Sequence, residues 1–172
     1  MIRIFLPIFF ALSFSCLGQT SQEFWDSGTK KEIQGDLYGA IADYSRAINI
    51  DPENASVLKA RGLAKYNLKD YYGAIADFTK ILNMSDFYAK SESWMQAYFF
   101  RANSKFALKD YRGAISDFNK SIEYDPKNAN SYLYRGASYD VLDDMKNACL
   151  DWSMAGELGN QQAYGLIQKH CQ

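Results

Sequence analysis

Apolar positions along this chain follow a helical rhythm, and the rhythm recurs. The stretch GAIADYSRAINIDP, Gly39 to Pro52, spaces its alanines as one stripe of an amphipathic helix and closes on a proline. Nearly the same words return as GAIADFTKILNMSD at Gly73, GAISDFNKSIEYDP at Gly113 and NACLDWSMAGELGN at Asn147. In register, alanine stands at Ala40, Ala74, Ala114 and Ala148, aspartate at Asp43, Asp77, Asp117 and Asp151, and a ring at Tyr44, Phe78, Phe118 and Trp152. The steps between them are 34, 40 and 34 residues. A second set of columns keeps these intervals upstream: Arg61-Gly62, Arg101-Ala102 and Arg135-Gly136, with Gly28 in the matching place of a more degenerate first unit. Leu68, Leu108 and Leu142 repeat as well, each followed two residues later by Asp70, Asp110 or Asp144. The pattern predicts helices in a repeating unit, and a catalytic site is seldom written four times.

A 34-residue unit with Gly or Ala at its eighth position, Ala at its twentieth, an aromatic at its twenty-fourth and Pro near its thirty-second resembles the tetratricopeptide repeat, a helix-turn-helix pair. The resemblance implies an all-α, right-handed α-solenoid of four units, residues 21–54, 55–88, 95–128 and 129–160, with an insertion at 89–94 and a capping helix over 161–172. Helix-packing physics supports the same reading. Small residues at Gly62 and Ala74, and likewise Gly39 and Ala40, let two helices cross closely, while the large rings fill the space between units. Asp51-Pro52 and Asp125-Pro126 read as an N-cap and a first-turn proline opening the next unit's first helix. Between units two and three that signal is missing, and NMSDFYAKSESWMQAYFF from Asn83 carries six extra residues. The capping-box spacing of Ser93 and Gln96 places the next helix start near Ser91 to Trp94, after an enlarged aromatic loop. Ile81, in a slot that holds Ala47 and Ala155, marks altered packing at the same junction.

The chain's ends carry separate information. MIRIFLPIFFALSFSCLGQ puts Arg3 before a short apolar run and then small residues, the layout of a signal peptide over 1–18. Cleavage after Ser15 would leave Cys16 for lipidation, but Ser13 stands where a lipoprotein signal prefers Leu, so soluble periplasmic or secreted export is favoured over an envelope anchor. Membrane association follows only from lipidation at Cys16. Without those residues two cysteines remain, Cys149 and Cys171, a disulfide candidate in an exported chain and a pair of buried thiols otherwise. The segment ACLDWSMAGELGNQQAYGLIQKHC resembles the C-terminal end of exported bacterial repeat proteins. If the last repeat helix and the closing helix turn near Gly159, the two cysteines face each other and bond.

Composition and chemistry narrow the function. The chain is 48% apolar and 16% aromatic, enough for a core, and its 19 basic residues balance 20 acidic ones without a run of either sign. No nucleic-acid partner is indicated. Its one histidine, His170, lies two residues from the end and reads as a surface residue on a fraying helix; no catalytic residues, metal cluster, phosphate loop or cofactor site emerges. The recurring Arg and Asp columns read as structural pairs, because a half-buried Arg needs a partner, in preference to an arginine ladder for an acidic ligand. The resemblance implies that first helices line a concave groove, where Trp25, Thr29, Lys59, Leu63, Tyr66, Phe99, Asn103, Phe106 and Leu133 are the candidate contacts. Tyr66, Phe99 and Phe106 would form an exposed patch there, unless the closing helix or the 83–94 loop folds over them. Some family members hold a chaperone's terminal carboxylate with Lys, Asn, Asn, Lys and Arg; Trp25, Thr29, Ala60, Gln96 and Phe100 stand at those places, so that clamp is absent. The expected function is a non-catalytic interaction module that binds a protein or extended peptide in its groove. The alternative is an architectural subunit of a bacterial envelope or secretion complex.

Overall fold

A computed structural model describes residues 19–84 and 92–171 of the chain. The expected signal peptide with Cys16, and positions 89–91 of the expected insertion, lie outside the described residues. Nine helices occur among the described residues: α1 Ser21–Ile33, α2 Leu37–Ile50, α3 Ala55–Asn67, α4 Tyr71–Leu82, α5 Glu92–Ala107, α6 Tyr111–Tyr124, α7 Ala129–Val141, α8 Met145–Glu157 and α9 Gln161–His170. Each packs on its sequence neighbours, and α5 also touches α3 and α7. The result is an all-α repeat solenoid whose first helices share one face. The start of α5 falls in the range the sequence predicts, although the side chain of Ser93, on which the capping box depends, lies outside the described residues.

Turn chemistry within each pair is stereotyped. A residue in the left-handed region, Gly35, Lys69, Lys109, Asp143 or Gly159, reverses the chain with φ between 61 and 92°. The next residue then caps the second helix. Asp36, Asp70, Asp110 and Asp144 accept the backbone N–H of Gly39, Gly73, Gly113 and Asn147. A Cβ at Gly39, Gly73 or Gly113 would collide with the capping carboxylate. Gly39 therefore serves the cap and not the helix crossing assigned to it from sequence.

The Asp-Pro expectation also needs correction. Asp51 and Asp125 are the C-caps of α2 and α6, and the N-caps of α3 and α7 are Asn54 and Asn128. The carbonyl of Asp51 accepts the N–H of Asn54, closing a four-residue turn with Pro52 at its second position, where a fixed φ suits the turn. Proline is thus used for the link between helices rather than for the helix's first turn.

Close crossing within a pair is visible at Gly28, Gly62 and Gly136. A Cβ there would stand 2.6 Å from the Tyr44 ring, 3.0 Å from Phe78 and 2.7 Å from Trp152. These rings, each no more than 1% exposed, lie where the first helix has no side chain. At the irregular junction Ile81 is fully buried in one cluster with Trp94 and Ala97, so the larger side chain is matched by α5.

The Arg and Asp columns meet as pairs. Asp77, Asp117 and Asp151 on the second helices each accept both Nε and Nη2 of Arg61, Arg101 and Arg135. The third guanidinium nitrogen, Nη1, donates backward to the preceding pair, to Ser45 Oγ, Thr79 Oγ1 and Asn119 Oδ1 at 3.0, 3.1 and 2.6 Å. One side chain thereby ties its own two helices together and both to the unit before. Lys65 and Lys105 add a second cation to Asp77 and Asp117. In the first described unit Ser27 stands where the later units have Arg; its hydroxyl, Lys31 and Arg46 hold Asp43 instead. Burial works to raise the Asp43 carboxyl, but hydrogen bonds from Lys31, Ser27 and Arg46 outweigh it and leave it below the ordinary carboxylate value.

The array ends in α9, which fully buries only Ala163. Cys149 and Cys171 are joined by a disulfide with their Cα atoms 5.7 Å apart, and Tyr164 donates its hydroxyl to the Gly156 carbonyl. His170 is not on a frayed end; it is half-buried with its ring 5.6 Å from Trp152.

Three measurements check this architecture. Asp117→Ala strands Arg101 without its counter-charge, and the expected loss is about 3 kcal/mol, or roughly 6–12 °C in Tm, read by thermal melting. Reduction of the disulfide should lower stability by roughly 2–4 kcal/mol, with Cys149→Ser insensitive to reductant. Because Asp43 has a lowered value in the folded chain, its ionised form contributes stability at neutral pH that is lost as the pH falls below about 4. Melts of Asp43→Asn should accordingly start lower and decline less steeply on acidification.

Candidate ligand groove

The first-helix face carries a cavity of about 520 Å³. Tyr66 of α3, Phe99, Phe100 and Asn103 of α5, and Asn130 and Tyr134 of α7 form its floor and sides. The α8–α9 turn, Gly159 and Asn160, and the first residues of α9, Gln161 and Gln162, close one end. One long-range contact and one local cap fix this geometry. Asn160 Nδ2 donates to Asn130 Oδ1 at 2.9 Å across the mouth, while Asn160 Oδ1 caps α9 through the Gln162 N–H. Asn103, 6% exposed, anchors its carboxamide by donating to the Phe99 carbonyl at 2.8 Å.

Ring stacking sets the wall. Phe100 lies 5.8 Å from Tyr66, 6.0 Å from Phe78 and 5.2 Å from Phe99 between ring centres. Tyr134 stacks on Phe118 at 6.3 Å and meets Phe99 edge-on. Burial, followed by the nearby Tyr134 and Tyr71 phenols, pushes the Tyr66 hydroxyl above its usual value, so it remains a neutral donor. Among the described residues no charged side chain lines this cavity.

Of the residues predicted from sequence, the cavity gathers Tyr66, Phe99 and Asn103. The others, Lys59 apart, serve the stack. Trp25 meets the Tyr44 ring edge-on at 6.3 Å, and Thr29 receives the Tyr44 hydroxyl at 3.5 Å. That hydroxyl also donates to Glu32 at 2.6 Å, and burial with this acidic neighbour pushes it up to about 12. Leu63 packs against the main core cluster, and Lys59 is half-buried on α3 outside the cavity wall. Phe106 is held between Tyr111 and Tyr134. Leu133 is buried, and its carbonyl accepts the Trp152 indole N–H. Tyr66, Phe99 and Phe106 are therefore half-buried rings of the inter-helix stack and not an exposed patch.

Phe100, Tyr134 and the α8–α9 turn are functional candidates that the sequence reading missed. A signal for the first two existed in the column Asp26, Ala60, Phe100, Tyr134, which does not repeat and turns aromatic only in the last two units. For the turn there was none, since its place depends on how α9 docks. Among the described residues no group of His, Cys, Asp and Glu could hold a metal ion, and no helix is long and apolar enough to cross a membrane.

Comparison with known families follows the same geometry. A TPR repeat model matches residues 33–69 and a tetratricopeptide repeat model matches residues 95–128. The chain is a tetratricopeptide-repeat protein. No curated protein matches it by sequence. Among solved structures, the tetratricopeptide array is similar to a crystal structure of MamA at 20% identity and TM-score 0.76, over 90% of this chain and 88% of that one. It is also similar to MamA from Desulfovibrio magneticus RS-1, at 18% identity and TM-score 0.73, over 83% and 77% of the two chains. The first TPR domain of Spaghetti (RPAP3), bound to the HSP90 peptide SRMEEVD, is 25% identical with TM-score 0.64, over 73% of this chain and 94% of that one.

Because the groove's rings are shared with the stack, Phe99→Ala is unsuited to separating binding from folding in this tetratricopeptide protein. Phe100→Ala should cost roughly 2–4 kcal/mol in chemical denaturation, through loss of its contacts with Tyr66, Phe78 and Phe99. Asn130→Ala, at an exposed position, should change stability by less than about 0.5 kcal/mol.

Proposed function

We propose that this chain is a non-catalytic interaction module that takes an extended segment of a protein partner into the cavity between α3, α5, α7 and the α8–α9 turn. Tetratricopeptide repeats, and a neighbour with a peptide bound, support the general reading of a protein-protein interaction scaffold. The observation that carries the specific one is that Asn130 and Asn160 fix the only described helix turn bordering this cavity. Rings and carboxamides converge there on a space of ligand size, whereas the repeated columns are all consumed by stacking.

Export to an oxidising compartment belongs to the same proposal. It is supported by the N-terminal apolar run and by the Cys149–Cys171 disulfide.

A photo-crosslinking residue at Gln161, beside the cavity, compared with one at Tyr38, which is 76% exposed on the outer helix α2, tests the assignment. Groove docking predicts a discrete adduct in cells from the Gln161 position alone. Adducts of equal yield from both positions would favour an architectural subunit held on two faces. Adducts from Tyr38 alone would contradict the groove reading.

A further inference from the structure

The cavity's wall has a chemical bias that says what segment it accepts. It presents ring faces and the carboxamides of Asn103, Asn130, Asn160 and Gln161, and among the described residues no Lys, Arg, His, Asp or Glu lines it. Cations adjacent or close in sequence to these residues are spent elsewhere: Lys65 on Asp77, Arg101 and Lys105 on Asp117, and Arg135 on Asp151. A charged ligand group entering here would give up hydration with no counter-charge in return. A carboxamide, by contrast, offers a donor and an acceptor side by side, which is the complement of a peptide unit or of another carboxamide. Ring faces accept apolar and planar groups without requiring charge.

We propose that the cavity reads an uncharged stretch within the partner's extended segment, pairing its amides with the wall's carboxamides and laying apolar or ring groups on Phe99, Phe100 and Tyr134. This rests on the groove being the docking site. Acidic and basic stretches are rejected by unrepaid desolvation, so selectivity comes from what the wall lacks. The Asn160–Asn130 bond holds two of the reading groups in place before the ligand arrives, which lowers the ordering cost of binding. An acidic peptide such as SRMEEVD is a poor ligand on this account, although a structurally similar domain holds it.

Selection of a random peptide-display library on the full chain, followed by titration of the enriched peptides, tests the proposal. Enriched cores should carry no charged residue, and their Kd should change by less than about threefold between about 50 mM and about 500 mM NaCl, because no ion pair is there to be screened. Asn130→Asp retains the acceptor for Asn160 and places an acid in a helix's first turn, so folding is preserved. It should weaken the enriched neutral peptides by about tenfold, as an unpartnered carboxylate then faces them. Enrichment of acidic or basic cores, or binding of SRMEEVD as tight as that of the neutral peptides, with loss on Asn130→Asp or Gln161→Ala, would overturn the charge rule and leave groove docking standing. Failure to enrich any peptide, or binding indifferent to both variants, would overturn the two together.

Discussion

A buried carboxylate on each second helix is the constraint around which this array is organised. Asp77, Asp117 and Asp151 are at most 5% exposed, and a carboxylate in that environment must be matched by cations and hydrogen bonds. The match comes from an arginine sixteen residues earlier, whose fork closes on the carboxylate and whose remaining nitrogen reaches the preceding pair. Geometry of that kind fixes the rotation of both helices and the spacing to the next pair at once. Lysine could supply the charge but not the fork. Burial in turn works to lower the Arg135 value, yet the bond and charge of Asp151 prevail and keep it raised, as a committed pair requires.

Much of this was legible because it repeats. Columns of Arg and Asp kept in phase imply contact, and the structure brings them together; the facing cysteines follow from a turn at Gly159 that the glycine's positive φ supplies. The errors came where one residue type can serve two neighbouring roles. Asp51 before Pro52 is equally good as the end of one helix or the cap of the next, and the presence of Asn54, itself a strong cap, decides it. Gly39 was read as a crossing residue because glycine answers both a crossing and a crowded cap. The aromatic patch was misjudged for a different reason: the rings of Phe99 and Phe106 find partners on α6 and α7, and such partners are invisible to a reading made one helix at a time.

The site and the scaffold thus share material but divide the labour by column. Repeated positions lock the helices, and non-repeated ones on α3, α5 and α7 face a space whose end wall is built by α9. The closing helix does not fold over the groove; it borders it. A cap that would otherwise only protect the last apolar face therefore also shapes the ligand space, and the disulfide at its far end helps to hold that wall.

The account stands or falls on whether the buried Arg–Asp pairs lock the array. The direct measurement is a double-mutant cycle on Arg101→Met and Asp117→Ala, read by equilibrium denaturation of the two single variants and the double variant. A structural lock predicts a coupling energy of about 2 kcal/mol or more, above the roughly 0.2–1 kcal/mol of exposed pairs. Coupling below about 0.5 kcal/mol, with additive losses, would show that the two side chains act independently and would contradict the central claim.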